Sequence, residues 1–358
     1  MFNDNSRVDY YDGLRGVAVL TVWLSHTSGR GQFMVPKLEF HGIGHVGVML
    51  FFVLSGYLLA SSIAQNKNQS FTQYFIKRFF RIAPIYYFVI SIVFFIQLMF
   101  GVYYQKYLHI SGGYSGFLRH LLFIKGDSVF WTISAEFVFY MALPFIFYIL
   151  IKNFKITSFL LLFFSFIYFL YSVLLIYNKI SLPELVFVDI NHSSQYLDVF
   201  IVGAVLSLAR REKYLTDFYK KYSKALDVFI CLLFIATILA TLICVSNKFL
   251  FFEREYYLMR YFSIFYALIF GSVLFSMDMG NKILVRLFSM KPLACIGMIG
   301  YSWYLLHMPV IQIVNELDFN KYVAFYLSTL IIFIISNSAF ILIEKKFMYI
   351  GKKIALKV

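Results

Sequence analysis

What the chain lacks narrows it first. Only 14% of its 358 residues are charged, roughly half the share found in ordinary soluble domains. With 61% of residues hydrophobic, a conventional water-soluble globule is excluded. Acidic side chains are scarce beside basic ones, 18 Asp and Glu against 32 Lys and Arg. Six prolines and 19 glycines leave little material for disordered linkers, and neither a low-complexity tract nor a fixed-period repeat is present. The three cysteines, Cys231, Cys244 and Cys295, lie in apolar runs, match neither a disulfide framework nor a metal knuckle, and read as small core residues. The opening MFNDNSRVDYYDG has no charged start, apolar core and cleavage site in succession, so no removable signal peptide is expected. Of His41, His45, His109, His120 and His192 none falls in an HExxH motif, so no metal site is expected. The absence of a GxxxxGK[ST] loop gives ATP-driven transport no support.

What is present is apolar length. Stretches of the roughly 20 residues needed to cross a bilayer occur near 12–28, 44–63, 84–102, 130–151, 156–177, 195–209, 226–246, 257–277, 293–314 and 322–343, the sixth being short. The expectation is an all-α polytopic membrane protein of about ten transmembrane helices, forming one membrane domain over residues 1–358. Basic residues orient it. With the N-terminus inside, 21 of the 32 Lys and Arg fall in cytoplasmic segments and nine in outer loops, with Arg15 and Arg260 at span ends. That asymmetry places both termini in the cytoplasm and accounts for the +14 net charge without a nucleic-acid partner.

Ionisable residues inside spans cost roughly 2.5–3.5 kcal/mol at a helix centre on insertion scales, and Arg15, His26, Glu136, Arg260 and His307 each require a reason. In DGLRGVAVLTVWLSH, Arg15 and His26 are eleven residues apart, three turns plus about 20°, so they share one helix face about 16 Å apart in depth. Arg15 falls near the cytoplasmic end and His26 near the outer end. Arg15 snorkelling to inner headgroups, with His26 as an interfacial polar residue, is the plainer alternative. Glu136, in FWTISAEFVFYMALP, and His307, in GYSWYLLHMPV, fall in the outer halves of their spans, so three ionisable residues from spans one, four and nine converge at similar depth. A structural ion pair for Glu136 and a satisfied core histidine for His307 remain alternatives. On the cytoplasmic side, FTQYFIKRFFRIAPIYY sets Lys77, Arg78 and Arg81 on a short amphipathic helix before Pro84. Such a cluster suits anionic lipid headgroups or a phosphorylated ligand.

Taken in order, these stretches resemble the acyltransferase 3 family of integral-membrane acyltransferases, whose bacterial members O-acylate cell-surface glycans. Arg15 and His26 match its Arg-x10-His signature, and GHVGVMLFFVLSG, Gly44 to Gly56, is similar to its second-span motif. RFFRIAP resembles its Arg-x-x-Arg-I-x-P element, and FWTISAEFVFY its W-S-L-S-V-E-E-Q-F-Y element through Trp131, Ser134, Glu136, Phe139 and Tyr140. IGYSWYLLHMPV and FILIEKKF resemble its S-Y-S-x-Y-L-x-H-x-P and I-E-x-P-F stretches. Phe137 stands where a second glutamate is frequent and Lys346 where the last motif has proline, so Glu136 stands without a carboxylate partner.

The resemblance runs from about Tyr10 to Phe347. It implies a multi-pass protein of the bacterial cytoplasmic (inner) membrane in which Arg15, Arg78 and Arg81 hold the phosphates of a cytoplasmic acyl-CoA such as acetyl-CoA. His26 would then act as general base on a glycan hydroxyl, with Glu136 orienting it and His307 serving the acceptor or acting as a second base. It implies no tightly bound cofactor. Some relatives carry an extra periplasmic esterase-like domain; none is expected here, as in stand-alone members, which finish the transfer or pass the acyl group to a separate periplasmic partner. The non-enzyme alternative is a polytopic carrier or flippase for a lipid-linked glycan, with the buried ionisable groups as substrate and proton sites.

Overall fold

The computed structural model describes residues 8–36, 38–66, 69–101, 109–178, 196–246 and 262–358. The ends of three expected spans (102, 195 and 257–261), Arg260, His192 and seven residues of the charge distribution (Arg7, Lys37, Lys67, Lys106, Lys179, Lys248 and Arg254) lie outside the described residues. Within them every regular element is helical: α1 (Asp9–Ser28), α2 (Gly44–Gln65), α3 (Phe71–Phe100), α4 (Gly113–Leu121), α5 (Trp131–Lys152), α6 (Phe154–Asn178), α7 (Leu197–Ala209), α8 (Lys213–Lys221), α9 (Ser223–Ser246), α10 (Ser263–Asp278), α11 (Lys282–Phe288), α12 (Lys291–Met298), α13 (Gly300–Asn315), α14 (Lys321–Ala339) and α15 (Lys345–Ala355). This is what a hydrocarbon solvent demands, because each backbone amide must find its partner within the segment.

Local chemistry sets several boundaries. Ser70 opens α3 with a reciprocal capping box to Gln73, and Gly101, at φ +75°, ends it. Asn281 caps α11 through the amides of Ile283 and Leu284.

Five segments are long and apolar enough to cross a membrane: α2, α3, α5 with its leading 3-10 turn, α9, and the continuous run from α14 into α15. Two bent pairs, α10 with α11 at 102° and α12 with α13 at 73°, raise the number to seven, so the chain is a multi-pass helical membrane protein. The expected ninth span, 293–314, is therefore two helices meeting at Ile299. The final apolar helix continues through a π turn at Phe340–Glu344 straight into the basic α15. Large apolar side chains such as Phe95, Phe145, Phe229 and Leu330 point outward, as lipid-facing positions require.

Glycines bring the backbones together where the site is built. A Cβ on Gly13 would overlap the Phe288 carbonyl, and one on Gly297 would overlap the carbonyl of Asp12, so α1 lies backbone to backbone against the α11–α12 turn. Gly56 of α2 and Gly203 of α7 meet each other's helices at the carbonyls of Phe200 and Val53 in the same way. Small residues at such crossings allow the dispersion contact that associates helices in lipid. Trp23 ties α1 to two more helices. Its indole ring meets Trp303 edge to face at 5.8 Å, and its Nε1–H donates to Thr329 Oγ1 at 3.2 Å. Phe200 stacks against Phe52 and Phe139 at 4.3 Å each, joining α2, α5 and α7.

Candidate active site

Packing α1 against α13 brings two of the expected residues into direct contact. His26 Nδ1 lies 2.7 Å from His307 Nε2, with the two rings 3° from coplanar. His307 is fully buried, and its Nδ1 sits 2.5 Å from the backbone carbonyl of Tyr304. A carbonyl only accepts, so Nδ1 of His307 carries its proton and, in the neutral ring, Nε2 offers a lone pair. His26 Nδ1–H then donates to that lone pair, and the second nitrogen of His26, Nε2, is left unprotonated. A backbone carbonyl thus sets two tautomers in series, and the outcome is an imidazole with a basic nitrogen free of its neighbour. Arg30, His41 and His45 lie close enough to act on His26 electrostatically.

The other expected residues gather in a separate place. Arg15, Arg78, Arg81 and Glu136 all line one cavity of about 2050 Å³, together with Ser55, Tyr140, Tyr304 and Glu344. Arg15 donates to Asp12, three residues before it, at 2.6 Å. Arg78 lies over the Tyr74 ring at 5.8 Å, and its Nε is buried without a hydrogen-bond partner. A guanidinium donor left unsatisfied beside a cavity indicates a place where an anionic ligand completes the bonding. Lys77, from the same basic cluster, does not line the cavity, so on α3 two cavity-lining arginines about one turn apart stand beside a lysine that is not part of the lining.

Glu136 bonds within this cavity rather than to His26. Its carboxylate accepts from Ser55 at 2.9 Å and, through a very short bond, from Tyr140 one turn along α5. Arg78 and Arg81 lie close enough to interact electrostatically with Tyr140, and Arg78 with Glu136 as well. The two closing motifs also meet, since Ser302 of α13 donates to the buried Glu344 of the π turn. A π turn rotates a side chain out of helical register and recurs at functional sites.

Several residues at the site were not singled out in the sequence. Asp278, at the end of α10, accepts from Tyr10 and Tyr11 at 2.6 Å each, from Tyr57 at 2.7 Å, and from Arg210 in a short ion pair. Asp278 and Arg210 each stand at the edge of an apolar run, where a charge reads as interfacial; the tandem tyrosines of DYYDG were the available signal. Ser55 was hidden inside the glycine motif. Cys295, expected in the core, is exposed and lines the cavity, because its short helix α12 presents one face to that space. Cys231 is half-buried, and the side chain of Cys244 lies outside the described residues.

A second polar network, apart from the residues that line this cavity, fastens the loop before α5. Asp127 receives the amide and hydroxyl of Ser111 at 2.8 and 2.7 Å and faces His120 Nε2 at 3.0 Å. His120 Nδ1 in turn lies 2.8 Å from the Tyr86 hydroxyl. Burial pushes the Asp127 carboxyl up, but hydrogen bonds from His120 and Ser111 outweigh it and hold it well below the usual carboxylate range. Among the described residues no group of three or more His, Cys, Asp or Glu is arranged to hold a metal.

A bundle of membrane-crossing helices with a tautomer-locked histidine pair near one end and an arginine-lined cavity near the other defines a multi-pass membrane protein with an internal polar site. The family model described as an acyltransferase domain, acyltransferase 3, matches residues 8–343, and the chain belongs to that family. It is 24% identical over 341 residues, 85% of its length, to the O-acetyltransferase OatA of Staphylococcus aureus strains NCTC 8325 / PS 47 and COL, of which it covers 51%. It is also 32% identical over 174 residues, 47% of its length, to a putative acetyltransferase, ORF330, of Acidianus two-tailed virus, covering 50% of that protein. The chain thus spans about half the length of these curated relatives. No solved structure matches it.

Proposed function

We propose that this protein is a membrane O-acyltransferase that moves an acyl group, acetyl in the simplest case, from a cytoplasmic acyl-CoA to a hydroxyl of a cell-surface polysaccharide. The single observation that carries the chemistry is the chain from His26 Nδ1 through His307 Nε2 to the Tyr304 carbonyl, which leaves Nε2 of His26 unprotonated when both rings are neutral. That nitrogen takes the proton of the acceptor hydroxyl as its oxygen attacks the thioester carbonyl carbon. The C–S bond breaks, and the leaving thiolate recovers the proton from the His26 imidazolium, giving an O-acyl ester and free thiol. His307 is a positioning residue in this scheme, because it accepts from Nδ1–H of His26 and stabilises the imidazolium that forms.

The donor's phosphates are assigned to the cavity, where Arg78 and Arg81 lie beside Glu136 and Tyr140 and Arg15 is steadied by Asp12. Glu136 fixes the geometry of that end through Ser55 and Tyr140. The orientation that suits the chemistry has both termini in the cytoplasm of a bacterial cell and about ten crossings of its inner membrane, α1, α6 and α7 being the extra crossings. The glycan then arrives from outside, directly or through a separate periplasmic acyltransferase that receives the acyl group.

The test is release of free CoA by the purified protein in nanodiscs with acetyl-CoA and membrane glycan, wild type against His26→Ala. Release that requires His26 and raises the acceptor's mass by one acetyl group is the expected result. Release unaffected by the substitution overturns the assignment of His26. Movement of an intact glycan with no donor consumed points to a carrier instead.

A further inference from the structure

The arginines of α3 are not the whole cationic lining of the cavity. Arg210, which follows α7, and Lys345, Lys346 and Lys352 of α15 line it too, and they reach it from elements remote in sequence from Arg78 and Arg81. Their placement is specific. Arg210 is held on two sides, its Nη1 by Asp278 and its Nη2 donating to Ser61 at 2.9 Å, while its guanidinium lies 5.5 Å from the Tyr57 ring centre. Asp278 in turn gathers three tyrosine hydroxyls, so the arginine is anchored to α1, α2 and α10 together. Nε of Arg210 also donates to the Ser207 carbonyl at 3.5 Å, so three of the five guanidinium N–H donors are taken and two remain to meet a further anion.

The lysines are anchored by a different device. α15 is seated against α3, where a Cβ on Gly351 would come 2.5 Å from Cβ of Phe80. The helix that carries the lysines thus lies along the helix that carries Arg78 and Arg81. The π turn at Phe340–Glu344 sets the register with which α15 leaves the membrane, and Lys345 is its first residue. Lys353 is not part of the cavity lining, whereas its neighbour Lys352 is. A tail acting only as a topology signal or headgroup anchor has no need to place three exposed lysines on the wall of that cavity.

We propose that Arg210, Lys345, Lys346 and Lys352 form a second anion-binding wall of the cavity, which takes the phosphate-bearing end of the acyl donor together with Arg78 and Arg81. The ligand class is an organic polyphosphate. The inference rests on the acyl-CoA reading above and adds four residues to it. Anionic lipid headgroups share the phosphate chemistry, and the experiment separates the two sources.

Cys295 lines the same cavity and serves as the reporter. Its alkylation by a maleimide is followed by peptide mass spectrometry in detergent-solubilised protein, with and without CoA in its desulfo form, which lacks the thiol that would itself consume the maleimide. The proteins compared are the wild type, Arg78→Gln, Arg210→Lys, and the combined Lys345→Gln, Lys346→Gln, Lys352→Gln variant, which leaves the ion pair at Asp278 untouched. CoA should protect Cys295 in the wild type. The concentration needed for half protection should rise roughly tenfold in the triple-lysine variant, as loss of several charge-assisted contacts implies, with unliganded labelling unchanged. If the triple variant protects like wild type while Arg78→Gln does not, the second wall is overturned and the donor reading stands. If short-chain phosphatidylglycerol, but not CoA, protects in a lysine-dependent way, the wall serves lipid and the proposal fails. If CoA protects none of the proteins, wild type included, the donor reading fails and takes the inference with it.

Discussion

Replacing His307 by phenylalanine removes the lone pair that receives Nδ1–H of His26 while keeping a planar ring in a fully buried place. In the ground state the 2.7 Å bond between two neutral rings is worth about 1 kcal/mol net. In the transition state His26 carries a proton on both nitrogens, and a hydrogen bond from a charged donor is worth about 1.5–3 kcal/mol. Only the difference, about 0.5–2 kcal/mol, acts on kcat, and at about 1.36 kcal/mol per factor of ten its loss lowers kcat by roughly 2- to 30-fold. Donor KM should stay put, because the donor's phosphates are assigned to the cavity and not to this pair. His307→Gln supplies an amide oxygen near the lost nitrogen and should recover part of the rate, which a merely space-filling role would not permit. The assay is initial-rate CoA release across a range of acetyl-CoA concentrations, with thermal midpoint and yield as controls for folding. Wild-type kcat in a folded His307→Phe protein refutes the relay. A loss as deep as that of His26→Ala with no rescue by glutamine shows instead that His307 meets the substrate itself.

Arg78→Gln should raise the apparent donor KM about tenfold and change kcat little, since it removes one charge-assisted contact; donor dependence equal to wild type would make Arg78 a structural or lipid-facing residue. Gly297→Ala forces a methyl group into the Asp12 carbonyl and should cost about 1–3 kcal/mol as overpacking does, seen as a lower thermal midpoint; an unchanged midpoint contradicts the close approach of α1 and α12. Asp127 has a folded-state pKa below its ordinary value of 3.8, so its contribution to stability is present above about pH 4 and is lost as pH falls toward the depressed value. The midpoint should therefore drop more steeply below pH 4 in wild type than in Asp127→Asn, and parallel curves would remove the Ser111–Asp127–His120 network from the account.

Sequence legibility followed the range of the interaction. Arg15 and His26 were placed on one face and at two depths because both sit on one helix, where the period alone decides. The shared depth of His26 and His307 was also readable, since each span crosses the same slab. Their bond was not, because it joins residues 281 apart through a close approach of helices that depends on where glycines meet carbonyls. Glu136 shows the same limit. It was expected at the depth of the two histidines, but it lines the arginine cavity, and its choice of Ser55 and Tyr140 is settled by the rotation of α5 against α2. The hub at Asp278 escaped notice for another reason, because a carboxylate just past an apolar run looks interfacial until the tyrosines and arginine that converge on it are seen. The bend at Ile299 was lost because an apolar run reports composition and not direction; two short helices crossing at 73° read like one straight span.

The position of Tyr304 gives the two halves of the site a physical relation. Its side chain lines the arginine cavity, with the hydroxyl donating to the Val129 carbonyl at 2.9 Å and accepting from Thr132 at 3.0 Å. Its backbone carbonyl fixes the His307 tautomer, and its ring centre lies 5.5 Å from that of His307. One residue therefore forms the wall of one compartment and sets the proton inventory of the other. Under the acyl-transfer reading this separation suits the reactants. A polyanion needs fixed cations and tolerates water, whereas a neutral imidazole that must take a proton from an alcohol works best where water and stray charge are kept away. Arg30 already acts on both histidines, and the cavity arginines, had they lain there too, would have added to a field that opposes the imidazolium the reaction creates. Setting them at opposite ends of α1, three turns apart, with Tyr304 between cavity and base, lets the same helix serve both needs.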